Sequence, residues 1–164
     1  MITETQTRDI AFVLRCSGAA TVGYLVAQTA GLPHPVWAAM SGIIVSQEKL
    51  GDTRQATIGR FIGTLLGVSI AVMIGTLFDR IGTDVAVDIA VAVALAAVAA
   101  RRYPWIRVCM WTCPIVFLTA TPGVPLWEVG ASRGAEVLLG GIVGAVLHFV
   151  AECVVGWIHP RGQW

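Results

Sequence analysis

Six apolar stretches joined by short polar connectors fill nearly the whole chain, at residues 10–32, 34–47, 59–78, 85–100, 106–121 and 136–158. A membrane-spanning helix needs about 20 apolar residues, fewer where charged side chains at its ends reach the interface. The second and fifth stretches are short, so the order is long, short, long, then long, short, long. Only 13% of the residues are charged and the mean hydropathy is +0.77, whereas a soluble domain is about a quarter charged. The pattern predicts an all-α polytopic membrane protein of six transmembrane helices, helices two and five short, in a single membrane domain over 1–164.

The two triplets of stretches share a motif. Arg60-Phe61-Ile62-Gly63-Thr64-Leu65-Leu66-Gly67 and Arg133-Gly134-Ala135-Glu136-Val137-Leu138-Leu139-Gly140 begin 73 positions apart, and Arg15 and Asp88 have the same separation. The chain therefore reads as a 3+3 repeat, about 8–80 and about 81–158. Three spans in each half would turn the second copy over in the bilayer, an inverted repeat of the kind found in many transporters. The polar connectors at 48–57 and 122–132 follow the two short stretches.

Positive charge orients the chain. With the N-terminus in the cytoplasm, Arg8, Lys49, Arg54, Arg101, Arg102 and Arg161 fall on the cytoplasmic side, with Arg60 and Arg107 close to it. Only Arg80 and Arg133 fall on the other, so both termini are expected to be cytoplasmic. Residues 1–9 read as a polar start and not as a leader peptide. The net charge of +1 offers no footprint for nucleic acid.

Catalysis finds no support. There is no Walker-type loop, no GxSxG and no HExxH. Cys16, Cys109, Cys113 and Cys153 lie in apolar stretches without CxxC spacing or a clustered His or carboxylate, so they read as packing residues. No metal, no cofactor and no enzymatic activity are expected.

Gly59, Gly63 and Gly67 recur every four residues, as do Gly140 and Gly144. Small residues at that spacing let helix backbones approach closely, and they also leave room for a narrow pathway. Charge at membrane depth costs roughly 2.5–3.5 kcal/mol per group, so Asp88, Glu136, His148, Glu152, Arg15 and Arg107 need partners, water or an interface. Arg15, Arg107 and Asp88 lie near stretch ends and read as snorkelling groups. His148 is the most central, and an imidazole with an ordinary pKa near 6.5 suits a proton relay as well as it suits a packed core. Glu136, His148 and Glu152 are the candidates for proton coupling. Arg60 and Arg133 are permanent cations able to bind carboxylates bidentately; near opposite mouths of a pathway they would attract organic anions. Locally, Arg133 can instead pair with Glu136. Trp37 and Trp111 lie inside the short stretches and could line a site for a flat aromatic ligand, while the other tryptophans flank stretches as interface anchors.

Trp37-Ala38-Ala39-Met40-Ser41, Ile44-Val45-Ser46-Gln47, Gly51-Asp52-Thr53 and the Arg60–Gly67 motif together resemble the fusaric acid resistance (FUSC) and aromatic acid exporter family. Its membrane units show a Trp, a short apolar helix ending near Gln-Pro, a Gly-x-Thr connector and Arg-x-x-Gly-Thr-x-x-Gly. A more distant likeness is to the aluminium-activated malate transporters, dimeric anion channels with basic pore residues. The resemblance implies a bacterial inner-membrane exporter of aromatic or other organic acids, driven by the proton gradient. It carries over Trp37, Gln47, Thr53, Arg60, Gly63 and Gly67 as pathway residues. Glu48 stands where the family often has Pro, and the large cytoplasmic domain of most relatives is missing from these 164 residues, which points to a homodimer. A passive organic-anion channel and a non-transporting subunit of a larger complex are the alternative readings.

Overall fold

The computed structural model describes residues 3–47 and 50–158, with the side chains of 4, 47 and 50–56 outside that description. All regular structure among the described residues is helical: α1 (Glu4–Thr29), α2 (Val36–Gln47), α3 (Leu50–Asp79), α4 (Val85–Arg102), a 3-10 turn (Pro104–Ile106), α5 (Val108–Leu118) and α6 (Leu126–Ile158). α1 opens with a capping box, in which the Thr3 hydroxyl accepts the Gln6 amide N–H and the Gln6 side chain accepts that of Thr3. Asp84 caps α4 by accepting the Ala86 N–H at 2.8 Å. Prolines 33, 35, 104 and 125 stand where helices cannot continue. The turns after α1 and α3 and before α6 pass through Gly31, Gly82 and Gly123 at positive φ.

Three helices are long and apolar enough to cross a membrane, over Thr5–Thr29, Thr57–Asp79 and Leu126–Ile158. Val36–Ser46 and Pro104–Leu118 are apolar but shorter. The 18 residues of α4 carry Asp88, Arg101 and Arg102 at their two ends. Large apolar side chains such as Val13, Leu14, Val98, Leu118 and Trp157 are exposed, as a lipid-facing surface requires.

The connectors differ from the sequence reading. α3 begins at Leu50 and α6 at Leu126, so most of 48–57 and of 122–132 is helix. Neither 50–58 nor 126–135 contains proline, and polar residues do not by themselves stop a helix that is packed further along.

The chain divides into two compact units, 1–57 with 138–164, and 58–137. These boundaries cut across the sequence halves 8–80 and 81–158. In the first unit α2 packs against α1 and against the C-terminal part of α6. Gly23 lies on Ala38 and Ala39, and Gly42 lies on Ala19. A Cβ on Gly140 would collide with the Ala38 carbonyl, and one on Gly144 with the Gly42 backbone. In the second unit α5 packs against α4 and α3. A Cβ on Gly59 would meet the Trp105 carbonyl oxygen, one on Gly63 that of Ile106 at 2.9 Å, and one on Gly67 that of Cys109 at 2.8 Å. Ile70, Ala71, Ile74, Ala92, Ala96, Val116 and Phe117 form the core of this unit. The Cys113 thiol donates to the Gly67 carbonyl at 3.4 Å and the Cys109 thiol to that of Ala96 at 3.5 Å.

The two units are built on one plan. Each holds a short helix between a partner from its own triplet and the third helix of the other triplet. Buried Ala19 and Ala27 of α1 correspond to buried Ala92 and Ala100 of α4, 73 positions on. Buried Ala38, Ser41 and Val45 of α2 correspond to buried Cys109, Thr112 and Val116 of α5, 71 positions on. The contact of Gly140 with Ala38 is matched by that of Gly67 with Cys109.

Candidate functional site

Arg60 and Arg133 both belong to the second unit. In it α3 and α6 run antiparallel, because Gly75 faces Leu126 while Gly130 faces Val68 and Val72. Continuing that register at about 1.5 Å per residue carries Arg133 and Glu136 toward the stretch of α3 that holds Thr64 and Arg60. The electrostatics agree with that register, since Arg60 repels Arg133 and Glu136 attracts it. Arg60, Arg133 and Glu136 are all buried, at 3%, 3% and 1% exposure. One turn along α3 from Arg60, the Thr64 hydroxyl is also buried and has no hydrogen-bond partner among the described residues.

The sequence alone places both arginines at the head of an apolar stretch. Because α3 starts at Leu50 and α6 at Leu126, Arg60 lies about three turns and Arg133 about two turns inside its helix.

The remaining candidates are distributed elsewhere. Gly59, Gly63 and Gly67 form the α3 face pressed on α5 and the preceding 3-10 turn; Gly140 and Gly144 form the α6 face pressed on α2. Trp37 is half-buried in the first turn of α2, and Trp111 is exposed on α5. The side chains of Gln47 and Thr53 lie outside the described residues. His148 and Glu152 belong to the first unit and Glu136 to the second. His148 is buried near the Ser46 backbone, with neither ring nitrogen in a well-formed hydrogen bond among the described residues. Glu152 lies 3.8 Å from Arg15 and 3.9 Å from Arg8.

Arg15 is therefore no simple snorkelling group. Its side chain is 9% exposed and its partner is on α6. α1 begins at Glu4, which puts Arg15 well inside the helix. Sequence reasoning also passed over Thr64 and Asp79. The signal that could have found Asp79 is the 73-residue offset, which aligns it with Glu152 as it aligns Asp88 with Arg15. Thr64 left no such signal, since threonine in an apolar helix ordinarily bonds back to its own backbone. Among the described residues no group of three or more His, Cys, Asp or Glu is placed to hold a metal ion.

The model of the fusaric acid resistance protein-like family matches residues 21–147. The chain belongs to this family. The match covers all of α2 to α5 and runs into α6 beyond Gly144, so the arginine motifs at 60 and 133 both lie inside it. No curated protein and no solved structure matches the chain. Membership in the fusaric acid resistance protein-like family, together with three helices apolar enough to span, makes this a membrane protein of a transport family and not one of an enzyme family.

Proposed function

We propose that the protein exports organic anions, aromatic carboxylic acids foremost, across the bacterial inner membrane. The observation that carries this reading is the buried cluster of Arg60, Arg133 and Glu136. Among the described residues the cluster holds two guanidinium groups and one carboxylate, a positive balance, in a region where charge is expensive. A carboxylate entering the cluster offsets that charge and receives paired N–H donors. The Thr64 hydroxyl, without a hydrogen-bond partner among the described residues, adds a neutral donor one turn away.

The rest of the reading extends from this cluster. Six spans in two inverted triplets would give the pathway its pseudo-symmetry, consistent with the matched contacts of the two units. Positive charge at Arg8, Arg101 and Arg102 favours cytoplasmic termini. Glu136 is the carboxylate best placed to exchange a proton as the anion arrives; His148 and Glu152 would serve a proton path in the first unit. A second copy of the chain would complete a homodimer.

The test is efflux of benzoate-type acids from proteoliposomes. Arg60→Ala is expected to lower flux at least tenfold relative to wild type, as loss of a charge-assisted bidentate contact implies. Unchanged flux in that variant removes the cluster from the mechanism. A chloride-like current indifferent to an imposed proton gradient would replace the exporter with a passive channel.

A further inference from the structure

A cavity of about 470 Å³ lies in the second unit where α3 ends and α4 begins. Asp79, Thr83, Asp88, Phe117, Leu126 and Trp127 are among the residues that line it, and among the described lining residues none is basic. Asp88 is buried, and the Thr83 hydroxyl donates to its carboxylate at 2.6 Å. In the first turn of α4, that carboxylate has the helix dipole in its favour. Asp79 has the opposite situation. It is the last residue of α3, the end of a helix at which the dipole favours cations and opposes carboxylates.

The internal repeat shows what belongs between these positions. Asp88 aligns with Arg15 and Asp79 with Glu152, each 73 residues apart. In the first unit that pair is an acid and a base, Arg15 and Glu152, 3.8 Å apart. In the second unit both places are carboxylates. His148, beside the first pair, aligns with Gly75, which lines the cavity. One unit thus supplies a guanidinium and an imidazole from its own chain. The other withholds both side chains and leaves space.

We infer that this cavity binds an organic cation, with Asp79 and Asp88 neutralising its charge and Phe117 and Trp127 packing on its apolar part. The volume falls in the range of about 300–1,000 Å³ typical of small-molecule sites and exceeds what a bare metal ion fills. Aromatic faces attract ammonium groups in addition to covering apolar surface. A substituted ammonium or amidinium therefore suits the lining better than an inorganic ion. The site shares no residue with the arginine cluster, so it stands whether or not that cluster carries anions.

Isothermal titration of the purified full chain with benzyltrimethylammonium, at constant ionic strength and with benzyl alcohol as the neutral comparison, tests the site. The wild type is expected to bind the cation and to ignore the alcohol. Asp79→Asn and Asp88→Asn should each weaken binding roughly tenfold or more, as loss of one nearby charge implies. Asp79 is exposed, so its substitution leaves the fold intact. Asn at 88 keeps an acceptor for Thr83. Equal affinity in the double variant, equal binding of benzyl alcohol, or binding of sodium or calcium without any binding of the ammonium would each overturn the proposal.

Discussion

Gly140 of α6 lies so close to Ala38 of α2 that a single methyl group on the glycine would collide with the alanine carbonyl oxygen. Gly67 of α3 stands in the same relation to Cys109 of α5. In lipid, helices gain little from the hydrophobic effect against one another, and close backbone contact between small residues takes its place. The obstacles at both positions are backbone atoms, joined at Gly67 by the Thr112 Cβ, and none of these can rotate away.

Gly140→Ala is therefore expected to destabilise the protein even though alanine is the better helix former by about 1 kcal/mol. Overpacking of this kind costs about 1–3 kcal/mol. Gly156, on the same helix, has nothing within 4 Å of an added Cβ, so Gly156→Ala should be neutral or slightly stabilising. Thermal unfolding in a mild detergent separates the two. Equal midpoints for the two variants would mean that the α2–α6 contact contributes little.

Much of this architecture was legible in the apolar runs. Their lengths and the glycine spacing of 59, 63, 67 and of 140, 144 follow from residues alone. The choice of partners does not, because periodicity shows which face of a helix is small and not which neighbour covers it. Nothing in the sequence tells that α6 serves α2 while α3 serves α5. The helix starts at Leu50 and Leu126 were hidden by polar residues, which a helix tolerates as readily as a connector does. Without those starts Arg60 and Arg133 fall at the heads of their apolar stretches, and their approach within the second unit is not visible.

The Arg15–Glu152 pair should matter more for Glu152 than for Arg8. Glu152 serves both arginines, and Arg15 is nearly buried while Arg8 is substantially exposed. Removing the carboxylate leaves the buried Arg15 without that partner. Glu152→Gln is expected to cost about 1–3 kcal/mol, whereas Arg8→Gln should cost less than about 1 kcal/mol. The exchange Arg15→Glu with Glu152→Arg should recover part of the loss. Urea or thermal unfolding of the three variants reads the difference, and equal losses for Glu152→Gln and Arg8→Gln would show that Arg15 finds other compensation.

The proposed orientation predicts which turns face outward. In a chain with Cys16, Cys109, Cys113 and Cys153 replaced by alanine, Ile81→Cys in the α3–α4 turn should react with an impermeant maleimide added to intact cells. Arg102→Cys at the end of α4 should react only after permeabilisation. Both positions are exposed, so accessibility reports the side of the membrane and not burial. The reverse labelling pattern would invert the topology and place Arg101 and Arg102 outside, against the positive-inside rule.

Arg133 has two readings, as a partner of Glu136 alone or as a second contact for an anion. They diverge when Glu136 is neutralised. Glu136→Gln removes a carboxylate that attracts Arg133 and leaves Arg60 to repel it. If the cluster holds anions, a carboxylate ligand now enters against one competing carboxylate fewer, and its binding should tighten several-fold, as charge interactions at an intermediate dielectric imply. Arg133→Gln should weaken the same binding by a comparable factor. If Arg133 serves only its neighbour, both variants instead lower stability and leave affinity for benzoate unchanged. Benzoate titration alongside thermal unfolding distinguishes these outcomes, because a local ion pair moves the melting temperature without moving affinity, and an anion site moves affinity in opposite directions for the two variants.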